Sequence, residues 1–280
     1  MTSPGLSASS SGRACTTLTA RAEGGLASTQ LRGMPSRMPR FLAYTWLLAL
    51  AVSLPAAETT TPTTPAPALR YESRVLRGWS VLIRVELLTD ENRAETEKGI
   101  VLIGKQLEDI ERLVPAKAVA QMKKVTLWLS PPYGKGAGAE YHPGAGWLKQ
   151  NGRNPAMAKG VEFSGVANLD KEVLRMPMLT LHELAHAYHD QVLGFNHPAI
   201  KACYDKAVAN KSYDKVSRKN WEGKMTEGVR AYAMTTPMEY FSETTEAFFG
   251  QNDFFPYNRK ELEAHDPEMV LVLKKVWGAE

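Results

Sequence analysis

Five residues, His182-Glu183-Leu184-Ala185-His186, constrain this chain more than any others in its 280 residues. With 3.6 residues to a helical turn, positions i and i+4 stack on one face, so both imidazoles can meet a single ion. Glu183 stands beside them, within reach of a water on that ion, which is the spacing of a zinc site carrying its own general base. The flanks support a helix. Met178, Leu181, Ala185, Tyr188 and Val192 form an apolar stripe expected to face a core, with the histidines beside it. Pro177 suits a first turn and Gly194 a C-terminal stop.

Catalytic zinc takes three protein ligands and keeps one position open, so one more donor must arrive from elsewhere. His189 is excluded, because it lies seven residues beyond His182, a rise of about 10 Å along the same helix. The best candidate is Glu239, in a helix expected between Pro237 and Gly250 with Tyr240, Phe241, Ala247 and Phe248 as its core face. Glu243 follows at i+4. One carboxylate can bind the metal while the other accepts the second N–H of a ligand imidazole. Glu243 as the ligand is the alternative, but Ala247 would then leave it without a supporting acid.

HELAH followed by Glu239-Tyr-Phe-Ser-Glu243 resembles the gluzincin metallopeptidases, and Tyr232, seven residues before Glu239, resembles the anthrax lethal factor and Pro-Pro endopeptidase family. The likeness spans roughly Pro177 to Gly250. It implies zinc held by His182, His186 and Glu239, Glu183 as general base, and Tyr232 stabilising the tetrahedral intermediate. The 52 residues from Ala187 to Met238 are long for that family, and no family motif occurs in residues 69–176, so substrate preference does not transfer. Gly160–Ser164 is expected to form a short strand. In zincins a strand at this chain position lies on the sheet edge and pairs with the substrate backbone; an ordinary sheet strand is the other reading.

The net charge of +4 does not indicate an anionic partner. Residues 1–57 hold five of the 34 Lys and Arg and one of the 30 Asp and Glu, leaving 29 of each sign. No nucleic-acid partner is implied. Arg37 and Arg40 precede an apolar run from Phe41 to Val52 and small residues through Ala57, the pattern of a secretory signal starting at Met34 or Met38. Its 12 residues fall short of the ~20 that span a bilayer, so no stable membrane insertion is expected after cleavage. Cys203 would then be alone, with no intramolecular disulfide open to it.

Residues 58–68 read as a Thr/Pro linker, and folded structure is expected over 69–280. Arg70–Leu76 and Ser80–Leu88 alternate as paired strands about Gly78. A helix capped by Thr89 or Asp90 should run to Leu113 with Ile100, Ile103, Leu107, Ile110 and Leu113 inward. A short helix near Ala116–Met122 precedes a strand at Val125–Leu129. Tyr133–Gly146 reads as a Gly-rich loop in which His142 is expected to be exposed, a substrate-side role being the alternative. Gly136 after Gly134-Lys135 lacks the hydroxyl of a phosphate loop. Residues 195–231 carry one helix, from about His197 to Asn210, and nothing with catalytic spacing.

The expected fold is α+β and zincin-like in two lobes, a mixed-sheet N-terminal lobe and a mainly helical C-terminal lobe with the motif helix between them. The expected function is a secreted zinc metallopeptidase acting on peptide or protein substrates, Zn²⁺ acidifying a water whose proton Glu183 takes. Its rival is a secreted zinc- or peptide-binding module without turnover, which loss of Glu183 would have marked.

Overall fold

Strands β1 (Tyr71–Leu76) and β2 (Trp79–Arg84) pair antiparallel with Leu76 opposite Trp79. Arg77 and Gly78 between them have φ of 48° and 86°, the left-handed two-residue turn whose twist matches the strands it joins. These residues belong to a computed structural model that describes residues 69–134 and 137–279. The leader, signal pattern and linker expected over 1–68 lie outside the described residues. The second strand is shorter than expected. Leu87 and Leu88 are both buried, and since successive strand residues face opposite ways, the chain buries both by entering a 3-10 turn at Val85–Leu88 instead.

Helix α1 (Arg93–Leu113) starts after Asn92, later than the expected cap, because the Thr89 carbonyl takes the Asn92 and Arg93 amides in a preceding turn. Ile100, Ile103, Leu107 and Ile110 are buried as expected, and Leu113 is half-buried. After α2 (Ala116–Met122) come β3 (Leu127–Ser130), β4 (Gly138–Tyr141), α3 (Ala145–Gln150) and β5 (Val161–Ser164). The sheet order is β1-β2-β3-β5-β4. Gly160–Ser164 is therefore a sheet strand but not an edge strand: β5 runs parallel to β3 on one side and antiparallel to β4 on the other. Val161, Glu162 and Phe163 are all buried, as befits a strand with neighbours on both sides. The edge belongs to β4, within the passage that reads as a loop.

Helices α4 (Leu169–Arg175) and α5 (Leu179–Tyr188) follow. A π-helical turn over His189–Leu193 extends α5, and Gly194, at φ 80°, ends it. Then come α6 (Pro198–Asn210), a hairpin of β6 (Val216–Lys219) and β7 (Met225–Val229), α7 (Pro237–Phe249), α8 (Arg259–His265) and α9 (Pro267–Trp277). The class is α+β. One continuous apolar core runs from Trp79, Leu127 and Phe163 of the sheet through Leu181 and Leu184 of α5 to Tyr240, Phe241 and Trp277. None of the described helices is long and apolar enough to cross a membrane. Cys203 is buried and free.

The motif helix sits deeper than its stripe suggests. All ten residues of α5 are buried, because α1, α2, β4, β5 and α7 all pack on it, while Val192 in the π turn is exposed. A buried helix start leaves amides that need partners, and the residue preceding α5, Met178, has no side-chain cap to offer. Gln106 of α1 supplies it. Its Oε1 accepts from the Thr180 amide at 2.8 Å, and its Nε2 donates to the Pro177 carbonyl at 3.0 Å.

His189 lies fully buried between Phe195 and Phe241, and neither ring nitrogen has a hydrogen-bond partner. Burial, reinforced by the nearby His186 and His197, pushes its pKa down to about 4. Between about 6.5 and that value the unfolded chain takes up a proton that the folded chain refuses, so stability falls as pH falls through this window, by about 3 kcal/mol at most. Urea denaturation in the presence of a chelator should show a smaller loss between pH 7 and pH 4.5 for His189→Phe than for wild type. Equal losses would mean that His189 does not resist protonation.

Candidate metal centre

Helices α5 and α7 pack side by side, and each brings donors to one point. On α5 the four-residue spacing stacks His182 and His186, with their Nε2 atoms 3.1 Å apart. On α7 the Thr236 hydroxyl accepts from the Glu239 amide at 3.1 Å, capping the helix so that Glu239 falls in its first turn. Glu239 Oε2 then lies 3.1 Å from His182 Nε2 and 3.2 Å from His186 Nε2. The three donors expected from the sequence thus form a nearly equilateral triangle.

Three donors held at about 2.0–2.1 Å by a tetrahedral zinc stand about 3.3 Å apart, so two imidazoles and a carboxylate at these separations fit that ion. The electrostatics agree. Burial alone would disfavour charge on His182, but its bonds to Glu239 and Glu246 outweigh burial and raise its pKa well above the usual range. Burial would likewise raise Glu239, yet the two imidazoles hold its carboxyl well below the usual range. Both shifts express attraction between imidazolium and carboxylate at the centre of the triangle.

The imidazole orientation comes from a residue that the sequence reading did not single out. His182 Nδ1 lies 2.7 Å from Glu246 Oε1, and the Glu246 side chain is fully buried. A proton on Nδ1 directed at that carboxylate leaves the Nε2 lone pair facing Glu239 and His186. The expected partner, Glu243, does not fill this role. It is buried, its Oε2 accepts from Asn252 Nδ2 at 3.0 Å, and burial followed by the neighbouring Glu246 raises its pKa. The helical repeat explains the exchange: seven residues are within about 20° of two full turns, whereas four residues overshoot one turn by about 40°. Glu246 therefore lies almost directly beneath Glu239, on the far side of the His182 ring.

Glu183 lines the same cleft, a cavity of about 620 Å³. Its Oε2 accepts from the Tyr141 amide of β4 at 2.7 Å, and among the described residues Oε1 has no protein partner. Burial pushes its pKa up, against the pull of the two imidazoles and the Tyr141 amide. Tyr232 also lines the cleft, half-exposed, its hydroxyl 3.4 Å from Glu239 Oε1. All five residues expected at the site are brought together. His189 is not among them.

Two further groups among the described residues have spacings that could hold a metal. Glu140, His142 and Glu162 already share a cation, since Arg153 bonds both Glu140 and Glu162. His142 is buried rather than exposed because its Nε2 lies 2.9 Å from Glu162 Oε2, while Tyr133 donates to Glu162 Oε1 at 2.7 Å. This network fastens the chain on both sides of β4. The other group, His182 with Glu243 and Glu246, includes the Nδ1 that is bonded to Glu246. Arg218 of β6 and Arg175 of α4 also line the cleft, and the 195–231 segment that supplies Arg218 carries no spacing signal to find it by.

Comparison with protein-family models, with curated proteins and with solved structures gives no match to this chain.

Because Glu246 fixes the His182 ring, Glu246→Ala should weaken zinc binding by roughly 10- to 100-fold, as loss of such a partner does elsewhere, while Glu243→Ala should weaken it less. Competition against a chromogenic chelator measures both. A larger effect at Glu243 would return the orienting role to that residue.

Proposed function

We propose that the protein is a zinc-dependent peptidase of zincin-like architecture, with His182, His186 and Glu239 as ligands, Glu183 as general base and Tyr232 as oxyanion donor. The observation that carries this reading is the near-equal separation of the three donors, 3.1, 3.1 and 3.2 Å, with a carboxylate one residue along the helix from the first of them. When bound, zinc supplies a Lewis acid that acidifies water and polarises a carbonyl. Glu183 is held at Oε2 by the Tyr141 amide, which leaves Oε1 to take a proton from water and pass it to the leaving amine. Burial strengthens its basicity. The Tyr232 hydroxyl, next to Glu239 in the open cleft, hydrogen-bonds the oxygen on which charge develops.

The edge strand suits a peptide. The His142 amide points to β5 and the Tyr141 amide points away from it, to Glu183. Alternation along a strand then turns the Ala139 N–H and C=O outward on the same edge as Tyr141, and Ala139 lines the cleft. A substrate backbone laid there would add a strand beside the metal ligands. The zincin-like reading is further supported by chain order, with a sheet before α5 and mainly helices after it. Export is part of the proposal on the signal pattern of residues 34–57 alone.

Glu183→Gln should retain zinc and lose turnover, since the amide is isosteric but cannot accept the proton. Tyr232→Phe should also retain zinc and lose on the order of 10²–10³ in kcat, the usual effect of removing one oxyanion donor, with KM little changed. Digestion of a peptide library by zinc-loaded protein, with metal content measured alongside, checks both. Wild-type turnover in Glu183→Gln would exclude the hydrolytic mechanism, and unchanged kinetics in Tyr232→Phe would remove that residue from it. A wild-type protein that binds zinc and cleaves no peptide would favour a binding module.

A further inference from the structure

Six carboxylates line the cleft, and each has a protein partner. Arg153 bonds Glu140, Arg175 bonds Glu172 at 2.7 Å, and the Tyr141 amide, the two imidazoles and Asn252 take Glu183, Glu239 and Glu243. The sixth, Asp253, is 1 % exposed and pairs with Arg218 Nε at 3.0 Å and Arg175 Nη1 at 3.5 Å. Arg218 differs from its neighbours. Only its Nε is engaged, and among the described residues its Nη1 and Nη2 have no hydrogen-bond partner. Its guanidinium lies 4.5 Å from the centre of the Phe254 ring, and its side chain is 38 % exposed.

The backbone makes this a rigid mount. Arg218 bridges Phe254, the Lys219 amide donates to the Asp253 carbonyl at 2.8 Å, and the Phe255 amide donates to the Ser217 carbonyl at 2.9 Å. A guanidinium held at one nitrogen by a buried acid and flanked by an aromatic ring has lost most of its conformational freedom before any ligand arrives. Its two remaining amino groups form the planar fork that matches a carboxylate.

We propose that Arg218 is the carboxylate receptor of this cleft, selecting peptides that carry a carboxylate within its reach, as an acidic side chain or as the free C-terminus. The inference rests on the peptidase reading for its substrate class. It assigns a specificity role to the β6–β7 hairpin, to which the peptidase reading gives no other part. The carboxylate contact forms in the ground state as well as the transition state, so the preference should appear in affinity and KM more than in kcat.

The test uses fluorescein-labelled octapeptides in which one Glu or Gln is moved through the sequence and the C-terminus is free or amidated. Binding is measured by anisotropy on zinc-loaded Glu183→Gln, and hydrolysis on wild type. A charge-assisted pair predicts roughly a ten- to hundredfold preference for the carboxylate form. If a Glu at one position carries it, the source is a side chain; if amidation removes it, the source is the C-terminus. In Arg218→Gln the ratio should fall close to one, and in Arg218→Lys, which keeps a cation beside Asp253, it should fall part of the way. Equal affinity for every acid and neutral pair in the Arg218-intact protein overturns the inference whether or not the variants fold, and so does a ratio unchanged in Arg218→Lys and Arg218→Gln. Hydrolysis without carboxylate preference would sink the receptor and leave the peptidase, whereas carboxylate-dependent binding without hydrolysis would sink the peptidase and leave the receptor.

Discussion

The 2.7 Å bond between His182 Nδ1 and Glu246 joins the motif helix to α7 and settles which way the first imidazole faces. Everything else at the centre follows from that orientation. With Nδ1 committed to a carboxylate, Nε2 is turned toward His186 Nε2 and Glu239 Oε2. Three electron-rich atoms at such separations repel one another unless a positive charge lies between them. The charged state of each group depends on the others, so the helix pair and the centre are one unit.

Holding such a unit inside a core is costly unless every polar group has a partner. The fold meets part of this at both ends of α5, while Glu246 Oε2 is buried without a partner among the described residues. Gln106 of α1 takes the helix start, and the stacking of Tyr188 on Trp277 at 4.3 Å, with the Tyr188 hydroxyl donating to the Val276 carbonyl at 3.1 Å, packs its other end against α9. The Tyr141 amide fixes Glu183 from the sheet side. Glu183, the three clustered donors and the edge strand are thereby positioned by rigid elements, which is what the proposed site requires. His189 shows the opposite case, a buried ring with neither nitrogen satisfied.

What could be read from the sequence depended on local periodicity. The motif helix, α1, and α7 with its Tyr240, Phe241, Ala247 and Phe248 core face all carry strong repeats, and Glu239 falls beside both motif histidines. Glu246 was within reach of the same reasoning, since a seven-residue step returns to one face, but the nearer Glu243 stood in its way. Strand β4 was hidden because Gly138 and Ala139 have weak strand preference, and a Gly-rich surround reads as loop. Non-local pairing decided the rest. The burial of His142 depends on Glu162, twenty residues away, and Arg218 meets Asp253 across 35 residues. No local pattern encodes either contact, and the edge position of β4 is likewise a property of the whole sheet.

The central claim is that His182, His186 and Glu239 hold one metal ion, and metal content tests it most directly. Elemental analysis of protein loaded with zinc and then dialysed should give about one zinc per chain, from the three-ligand rule, and X-ray absorption at the zinc edge should show two imidazoles. In His186→Ala the content should fall sharply. A wild-type protein without bound zinc, or a stoichiometric zinc that His186→Ala leaves in place, would contradict the account.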